Sequence, residues 1–221
     1  MVRYDKPVRA LAICLSTLAG YVDAIGFIQT GGFFVSFMSG NSTRLGIGIA
    51  HGDIYAALVA GLLVTFVFGV MTGTFVGRMA GEHRRPVVLA LVAALLALAA
   101  GSGMLLLPGA AVAFTALAMG AENAVFEEEG EVRIGLTYMT GALVKVGQQV
   151  TAALLGGRKW DWAPHFFLWL GLTIGAVAGG LVYPVLGLNS LWIAAAAAAA
   201  LARIAWSIGA SPMDRGALDS N

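Results

Sequence analysis

Charged and polar side chains recur in the same order in two halves of an otherwise apolar chain. In each half an acid is followed by a Ser/Thr-Gly pair and then by a cation. The first copy consists of Asp23, Ser39, Gly40, Asn41 and Arg44, and the second of Glu122, Asn123, Thr140, Gly141 and Lys145. Ionisable residues inside membrane-spanning sequence are rare and usually mark a pathway for a solute or a proton. These residues are therefore the candidate substrate-binding site.

The Ser/Thr-Gly pairs are predicted to start helices inside the membrane. Small hydroxyl, amide and glycine residues fit poorly in a continuous helix and favour breaks and helix N-termini. We therefore expect one half-helix that begins at Ser39-Gly40 and runs to about Ala50, and another that begins near Gly141.

The cation after each break constrains what lies opposite it. Arg44 and Lys145 would occupy the first turns of the half-helices, where a positive charge opposes the helix dipole. A bound anion between the two ends, such as a carboxylate or a phosphate, would offset this repulsion. Asp23 and Glu122 could do the same as two cross-repeat ion pairs, Asp23 with Lys145 and Glu122 with Arg44, that only hold the halves together. The sequence leaves both interpretations open.

A third repeated landmark is a set of glycines spaced four residues apart. Its members are Gly69, Gly73 and Gly77 in the first half and Gly171, Gly175 and Gly179 in the second. Small residues at this spacing share one helix face and let two backbones approach closely. We interpret the two faces as packing the two related helices on each other. A homodimer interface and a glycine-lined path are the alternatives.

Composition identifies the class of protein. The chain is 59% hydrophobic and only 11% charged, whereas an ordinary soluble domain has about 25% charged residues. Six apolar runs are close to the ~20 residues that a spanning helix needs: 8–28, 54–80, 87–107, 109–126, 163–187 and 190–210. We therefore predict an all-α integral membrane protein embedded in the lipid bilayer. The net charge of +1 shows no sign of a nucleic-acid partner.

Two weaker segments, 31–50 and 134–156, decide the number of spans. There are eight spans if both segments cross the membrane and six if both are broken or re-entrant. With six, the basic loops gather on the side of the N-terminus, which the positive-inside rule places in the cytoplasm together with the C-terminus. We therefore predict one domain over 1–221 with six transmembrane helices. Three spans per repeat, about 8–107 and 109–210, invert the second repeat, so both breaks would meet near the midplane.

Other chemistries have little support in the sequence. No GxSxG or HExxH motif is present and the three histidines lie far apart, so we predict no enzyme, no metal site and no cofactor. Cys14 is the single cysteine, which excludes an internal disulfide. We expect the acidic run from Glu127 to Glu131 to form a solvated cytoplasmic loop.

Four pieces of sequence carry a family resemblance: GYVDAIGF (20–27), MSGNSTRLG (38–46), MGAENA (119–124) and TYMTG (137–141). Together they resemble the YoaK family of bacterial inner-membrane proteins, long described as a domain of unknown function. The resemblance implies an inner-membrane location and supplies no activity. The family pattern often has Gln at the position of Glu122 and a polar residue near Ala142, and this chain departs at both. These departures favour Asp23, Asn41 and Arg44 as the carriers of function and make the second copy the degenerate partner.

The sequence thus predicts a small-solute transporter or channel. Its midplane site would lie at two half-helix N-termini and would take an anionic metabolite. The alternative is a non-transporting structural or partner-binding membrane protein.

Overall fold

The structure is a computed structural model that describes residues 5–128, 131–132 and 134–208. The helices are α1 (Lys6–Gln29), α2 (Met38–His51), α3 (Ala56–Ala80), α4 (Arg84–Met104), α5 (Pro108–Glu122), α6 (Met139–Leu154), α7 (Ala163–Leu186) and α8 (Leu191–Ile208). Two short strands, β1 (Glu127–Glu128) and β2 (Glu131–Val132), pair antiparallel before α6. The prediction of an all-helical chain is confirmed apart from this ladder, and the two termini that we predict to be cytoplasmic lie outside the described residues.

Six of the helices are long and apolar when α5 is counted with the 3-10 turn that extends it to Phe126. Four continuous helical stretches are long and apolar enough to cross a membrane: Lys6–Gln29, Ala56–Met104, Pro108–Phe126 and Ala163–Ile208. The second and the fourth each contain two helices, α3 with α4 and α7 with α8, joined by a short 3-10 turn. Gly81 and Gly187 make these turns with φ at 54°, a left-handed value that suits glycine. The prediction of long apolar helices is confirmed.

The helices α1, α4, α5 and α8 form the centre of the bundle, where most of the buried apolar residues lie. On α3 and α7 the buried residues include the repeated glycines, and many large apolar side chains are exposed instead. An extensive exposed apolar surface of this kind is typical of a region that contacts a membrane or another protein. The outer helices therefore turn their bulky residues outward and their small residues toward the bundle.

The glycine face of α3 packs on α5. A Cβ atom at Gly69 or Gly73 would collide with the backbone of Leu117 or Ala121, respectively. Gly77, the third member of the set, lies against α4 in its own hairpin. The residue numbers of the contacting pairs increase in the same direction along both helices, so α3 and α5 run parallel.

The glycine face of α7 packs on α1 in the same way. A Cβ atom at Gly175 or Gly179 would collide with the backbone of Thr17 or Tyr21, and Gly171 lies beside the preceding turn of α1. The helices α1 and α7 are therefore also parallel. The interpretation that the two glycine-bearing helices pack on each other is wrong, because each of them meets the first helix of the other half.

Contacts between helix ends give the direction of the remaining helices. Gly103, near the end of α4, lies against Leu188, just after the end of α7. At the opposite end of the bundle, the rings of His83 and Trp206 are 4.7 Å apart, which joins the start of α4 to the end of α8. Thus α4 runs in the same direction as α7 and α1. The next helix, α5, turns back and runs opposite to α1.

The helices α2 and α6 are short and lie at the edge of the bundle. They contain 14 and 16 residues, or about 21 and 24 Å at 1.5 Å per residue. Helix α2 packs on α3, and α6 packs on α7. Gly52 ends α2 with φ at 68° and turns the chain back into α3. Because α2 begins at Met38 and α6 at Met139, each Ser/Thr-Gly pair lies in a first turn.

Candidate functional site

Asp23 holds the first break through the backbone. Its Oδ1 accepts hydrogen bonds from the N–H groups of Val35 (2.9 Å) and Ser36 (2.8 Å). Both residues belong to the connection between α1 and α2, so a carboxylate on α1 fixes the segment that leads into α2. The same segment is pressed onto α1 at Gly26, where a Cβ atom would collide with the Val35 side chain.

Asn41 holds the same connection from the other side. It is fully buried in the first turn of α2. Its Oδ1 accepts a hydrogen bond from the N–H of Phe34 (3.0 Å), and its Nδ2 donates to the carbonyl oxygen of Phe34 (2.6 Å). A Cβ atom at Gly40 would collide with the Phe37 ring, so glycine is needed there. The first break is therefore clamped by two of its own side chains.

Asn123 occupies the position in the second half that Asp23 occupies in the first. Gly20 and Gly120 are equivalent, because each packs on the backbone of the glycine-bearing helix of the other half. Three residues after each of them stand Asp23 and Asn123. Glu122 therefore corresponds to the residue before Asp23, and the two acids are not equivalent.

The second break lacks these clamps. The Nδ2 of Asn123 donates to a carbonyl of its own helix (2.9 Å), and Ala142 stands where Asn41 stands in the first half. The segment before α6 is instead held by Ser16 on α1. The Ser16 hydroxyl lies 3.1 Å from the carbonyl oxygen of Leu136 and 3.0 Å from a carbonyl oxygen of α7. The second break thus depends on the other half of the chain.

The two breaks line one cavity of about 320 Å³. Its walls are Ser36, Phe37, Met38 and Ser39 from the first break, Thr137, Tyr138, Met139, Thr140 and Gly141 from the second, and Phe66 from α3. The hydroxyls fall at matching positions before and within the two helix starts. The hydroxyl oxygen of Thr137 is buried and has no hydrogen-bond partner in the described part of the chain. Ser39 and Thr140 are exposed, so theirs are the hydroxyls available in the wall.

Neither cation lines this cavity. The guanidinium carbon of Arg44 lies 5.5 to 5.9 Å from three ring centroids, those of Phe27, Phe33 and Phe34. Such contacts are favourable cation–π interactions. Lys145 is exposed on α6. In the residues that the structure describes, no ion pair joins Asp23 to Lys145 or Glu122 to Arg44, so the cross-repeat pairing is wrong. Asp23 accepts hydrogen bonds from backbone amides instead of pairing with Lys145, and Arg44 packs against aromatic rings instead of pairing with Glu122.

Glu122 is fully buried at the end of α5. Neither of its carboxyl oxygens has a hydrogen-bond partner within residues 5–128, 131–132 and 134–208. The Oδ1 of Asn123 is buried and unpartnered in the same way. The second half therefore contains buried oxygen atoms that its own fold does not use.

Glu127 is the centre of an ion-pair cluster that the sequence did not suggest. It is 7% exposed, and its carboxylate lies 3.6 Å from Arg78 Nη2 and 3.7 Å from Arg84 Nη2. The hydroxyl of Thr74 donates to the same carboxylate (2.8 Å), and Arg84 also donates to the backbone oxygen of Glu127. The expectation of a solvated acidic loop is wrong for Glu127, because these donors draw it into the bundle. Glu129 of the same run lies outside the described residues.

The predicted site residues divide into three groups. Those that line the cavity are Ser39, Thr140 and Gly141. Those that shape the first break beside it are Asp23, Gly40 and Asn41. Those that do not line it are Arg44, Glu122, Asn123 and Lys145.

The other seven wall residues were not among the predicted site residues. Ser36 and Thr137 are hydroxyl residues that stand three positions before Ser39 and Thr140, so the repeat itself contained that signal. No comparable signal in the sequence marks Phe66, because it is one apolar residue among many in an apolar helix. Among the described residues, no group of three His, Cys, Asp or Glu side chains is placed to hold a metal ion.

Comparison with known proteins places this architecture among membrane proteins. A family model described as "Protein of unknown function (DUF1275)" matches residues 11–204. The chain is similar to the UPF0700 transmembrane protein RA0705 of Rhizobium meliloti (strain 1021). The two are 38% identical over 201 residues, which cover 90% of this chain and 86% of that protein. No solved structure matches the chain. Neither match carries the name YoaK, which stays a prediction.

Proposed function

The chain belongs to the DUF1275 family of uncharacterised transmembrane proteins, and from this premise we propose that it is a small-solute transporter or channel. The solute site would be the cavity between the two breaks, and the solute a small anion such as an organic-acid metabolite. One observation carries the proposal: the starts of two short helices, one from each half, line a single cavity.

We propose that two inverted repeats build this site. Both halves follow the order long, short, long, long, and the contact of α1 with α7 is mirrored by that of α5 with α3. The opposite directions of α1 and α5 fit a pseudo-twofold axis in the membrane plane, which is a recurrent transporter architecture. In this arrangement six helices span, while α2 and α6 are re-entrant half-helices. Irregular backbone at membrane depth is tolerated where it lines a cavity.

The helix starts favour an anion over a cation. The first N–H groups of an α-helix have no acceptor within the helix and form the positive end of its dipole. Two such ends share this cavity, and the hydroxyls of Ser39 and Thr140 add further donors. The wall residues include no charged side chain, so an anion would be held without an ion pair. Binding of that strength allows release, which flux requires.

The predicted site residues outside the wall would support it. Asp23 and Asn41 would position the first break, and so keep Ser36 and Ser39 in the wall. Arg44 and Lys145 are exposed on the half-helices. The Lys145 side chain would extend toward the aqueous surface, and the Arg44 guanidinium would stay against its aromatic rings. Both positive charges would attract anions to the cavity.

We propose that the protein is a multi-pass protein of the bacterial inner membrane with both termini in the cytoplasm. The similar transmembrane protein of a bacterium supports the membrane placement. The basic residues of the loops support the orientation.

A plug at the cavity wall tests the proposal. Gly141 lines the cavity, and a Cβ atom there would meet nothing within 4 Å. In liposomes, the wild type is expected to carry at least one of chloride, methanesulfonate, lactate or inorganic phosphate down a gradient. Gly141→Leu should reduce this flux by about tenfold or more, because a filled constriction cannot conduct.

Gly147 provides the matched control. It lies on the same helix and is equally open to a Cβ atom, but it does not line the cavity. Gly147→Leu should leave flux unchanged. Equal flux in the two variants would place the solute path elsewhere. If the folded wild type carries none of the four anions, the structural or partner-binding alternative is favoured.

A further inference from the structure

One buried ionisable group has no role in the site described so far. Glu122 is fully buried and both of its carboxyl oxygens are unpartnered among the described residues, although its equivalent in the first half is the apolar Val22. Two other oxygens of the second half, Asn123 Oδ1 and Thr137 Oγ1, are also buried and unpartnered. This part of the molecule therefore keeps polar atoms at positions where a packed core would have satisfied or replaced them.

A carboxyl group in these surroundings is expected to hold a proton. A buried carboxylate without a counter-ion or hydrogen bonds is so costly that such groups neutralise instead. Glu122 is also the last residue of α5. The negative end of the helix dipole lies there and disfavours a second negative charge.

The ionisable groups on the elements around α5 have other partners or are exposed, apart from Arg9, which is partly exposed. These elements are α1, α3 and α4. Arg78 and Arg84 pair with Glu127, and the guanidinium of Arg85 lies 5.7 Å from the Phe126 ring. On α1, Asp23 accepts backbone amides; the other ionisable residues there are Lys6, Arg9, Cys14 and Tyr21. No ion pair within the described ranges includes Glu122.

Glu122 stands beside a pair of positions that hold the break together in the first half. Asn123, which follows Glu122 directly, and the wall residue Thr137 correspond to Asp23 and Ser36, which are joined by a hydrogen bond of 2.8 Å. In the second half this bond is absent among the described residues, and Asn123 Oδ1 and Thr137 Oγ1 are both left unpartnered.

We propose that Glu122 is a proton-binding site linked to the anion site, an inference that rests on the proposed function. An anion in the cavity and an ionised Glu122 would be two negative charges in a medium of low dielectric constant. The anion therefore binds best when the carboxylate has taken up a proton, and by reciprocity the bound anion strengthens proton binding. The proton is released when the anion leaves, so both travel together.

The link is tested by measuring anion affinity against pH. The probe is lactate, methanesulfonate or chloride, each of which keeps a constant charge between about pH 5.5 and 8.5. For wild type, the Kd is expected to rise with pH by up to about tenfold per unit, the limit for one linked proton. Glu122→Gln, which is neutral and nearly the same shape, should show a flat profile. Glu82→Gln, which removes an exposed carboxyl, should keep the wild-type slope.

A second measurement examines the proton site without any transport. Dicyclohexylcarbodiimide adds to protonated carboxyl groups in apolar surroundings, and the adduct rearranges to a stable N-acylurea. At neutral pH, mass spectrometry should find this adduct on Glu122. Glu127 should be spared, because it is equally withdrawn from solvent but ion-paired.

The outcomes separate the two proposals. Wild type that binds an anion with no pH dependence, or that leaves Glu122 unlabelled, overturns the proton site alone. Wild type that binds none of the probes removes the proposed function and the link with it, while labelling of Glu122 would still establish the proton site.

Discussion

The two breaks follow one chain path but are held in different ways. In the first, Asp23 and Asn41 take up the backbone groups of the connection between α1 and α2. In the second, the equivalent residues are Asn123 and Ala142, and the connection is held by Ser16 from the other half. Helix order and break position can therefore persist while the polar anchors diverge. The first break is held by its own half, whereas the second depends on the other half and leaves buried oxygen atoms unpartnered among the described residues.

Removing the Glu127 carboxylate, which ties the start of the connection before α6 to α3 and α4, should have the largest effect on stability. Glu127→Ala leaves Arg84, which is only 19% exposed, without its carboxylate. Breaking a buried ion pair from one side costs about 3–5 kcal/mol. We expect a loss of this size in the free energy of unfolding, measured by denaturant titration in detergent. Asp161→Ala is the control, because its partner Arg158 is 80% exposed and exposed pairs contribute about 1 kcal/mol or less. Similar losses in both variants would show that Glu127 is no anchor.

Removing the amide clamp of the first break should have the next largest effect. Asn41→Ala leaves the N–H and the carbonyl oxygen of Phe34 without their partner. Each unsatisfied buried group costs about 1–3 kcal/mol, so we expect a loss of about 2–4 kcal/mol in the same titration. Ser42→Ala, at the next position, removes an exposed hydroxyl that bonds only within α2, and should change stability by less than about 0.5 kcal/mol. If Asn41 does not hold the first break, Asn41→Ala and Ser42→Ala should lose similar amounts of unfolding free energy.

The Asp23 pair of variants should show the smallest effect and sharpen the comparison most. Asp23→Ala removes the acceptor of two backbone N–H groups and should cost about 2–3 kcal/mol. Asp23→Asn keeps a carbonyl oxygen that can accept the same hydrogen bonds, and should cost less than about 1 kcal/mol. If Asp23→Asn lowers the free energy of unfolding as much as Asp23→Ala does, then the first break is stabilised by the negative charge of Asp23 and not by its position as a hydrogen-bond acceptor.

Much of the fold could be predicted from the sequence because apolar length and small-residue spacing determine it directly. The long apolar runs gave the long helices, and the Ser/Thr-Gly pairs gave the starts of α2 and α6. Which helices the glycine faces would meet could not be predicted. A row of small residues predicts that another helix packs closely on that face, but it does not identify which helix that is.

Less of the site could be predicted, because its contacts are made by the backbone. The partners of Asp23 are the amide groups of Val35 and Ser36, and every residue type offers an amide. Matching the halves by charge also paired Asp23 with Glu122, whereas the packing of Gly20 and Gly120 pairs it with Asn123. The wall residues Ser36 and Thr137 could have been predicted, because a hydroxyl residue occurs at the same position before each break.

The crossed glycine contacts also bear on how the chain is made. The groove on α1 at Thr17 and Tyr21 is filled by α7, which the ribosome produces only after most of the chain has entered the membrane. During synthesis α1 must therefore remain in contact with the insertion machinery or with lipid until α7 is available. The N-terminal half has no complete packing partner of its own for that helix. A chain truncated before Ala163 should consequently be recognised by membrane proteases as an orphan, and the two halves should be functional as separate polypeptides only when they are produced together.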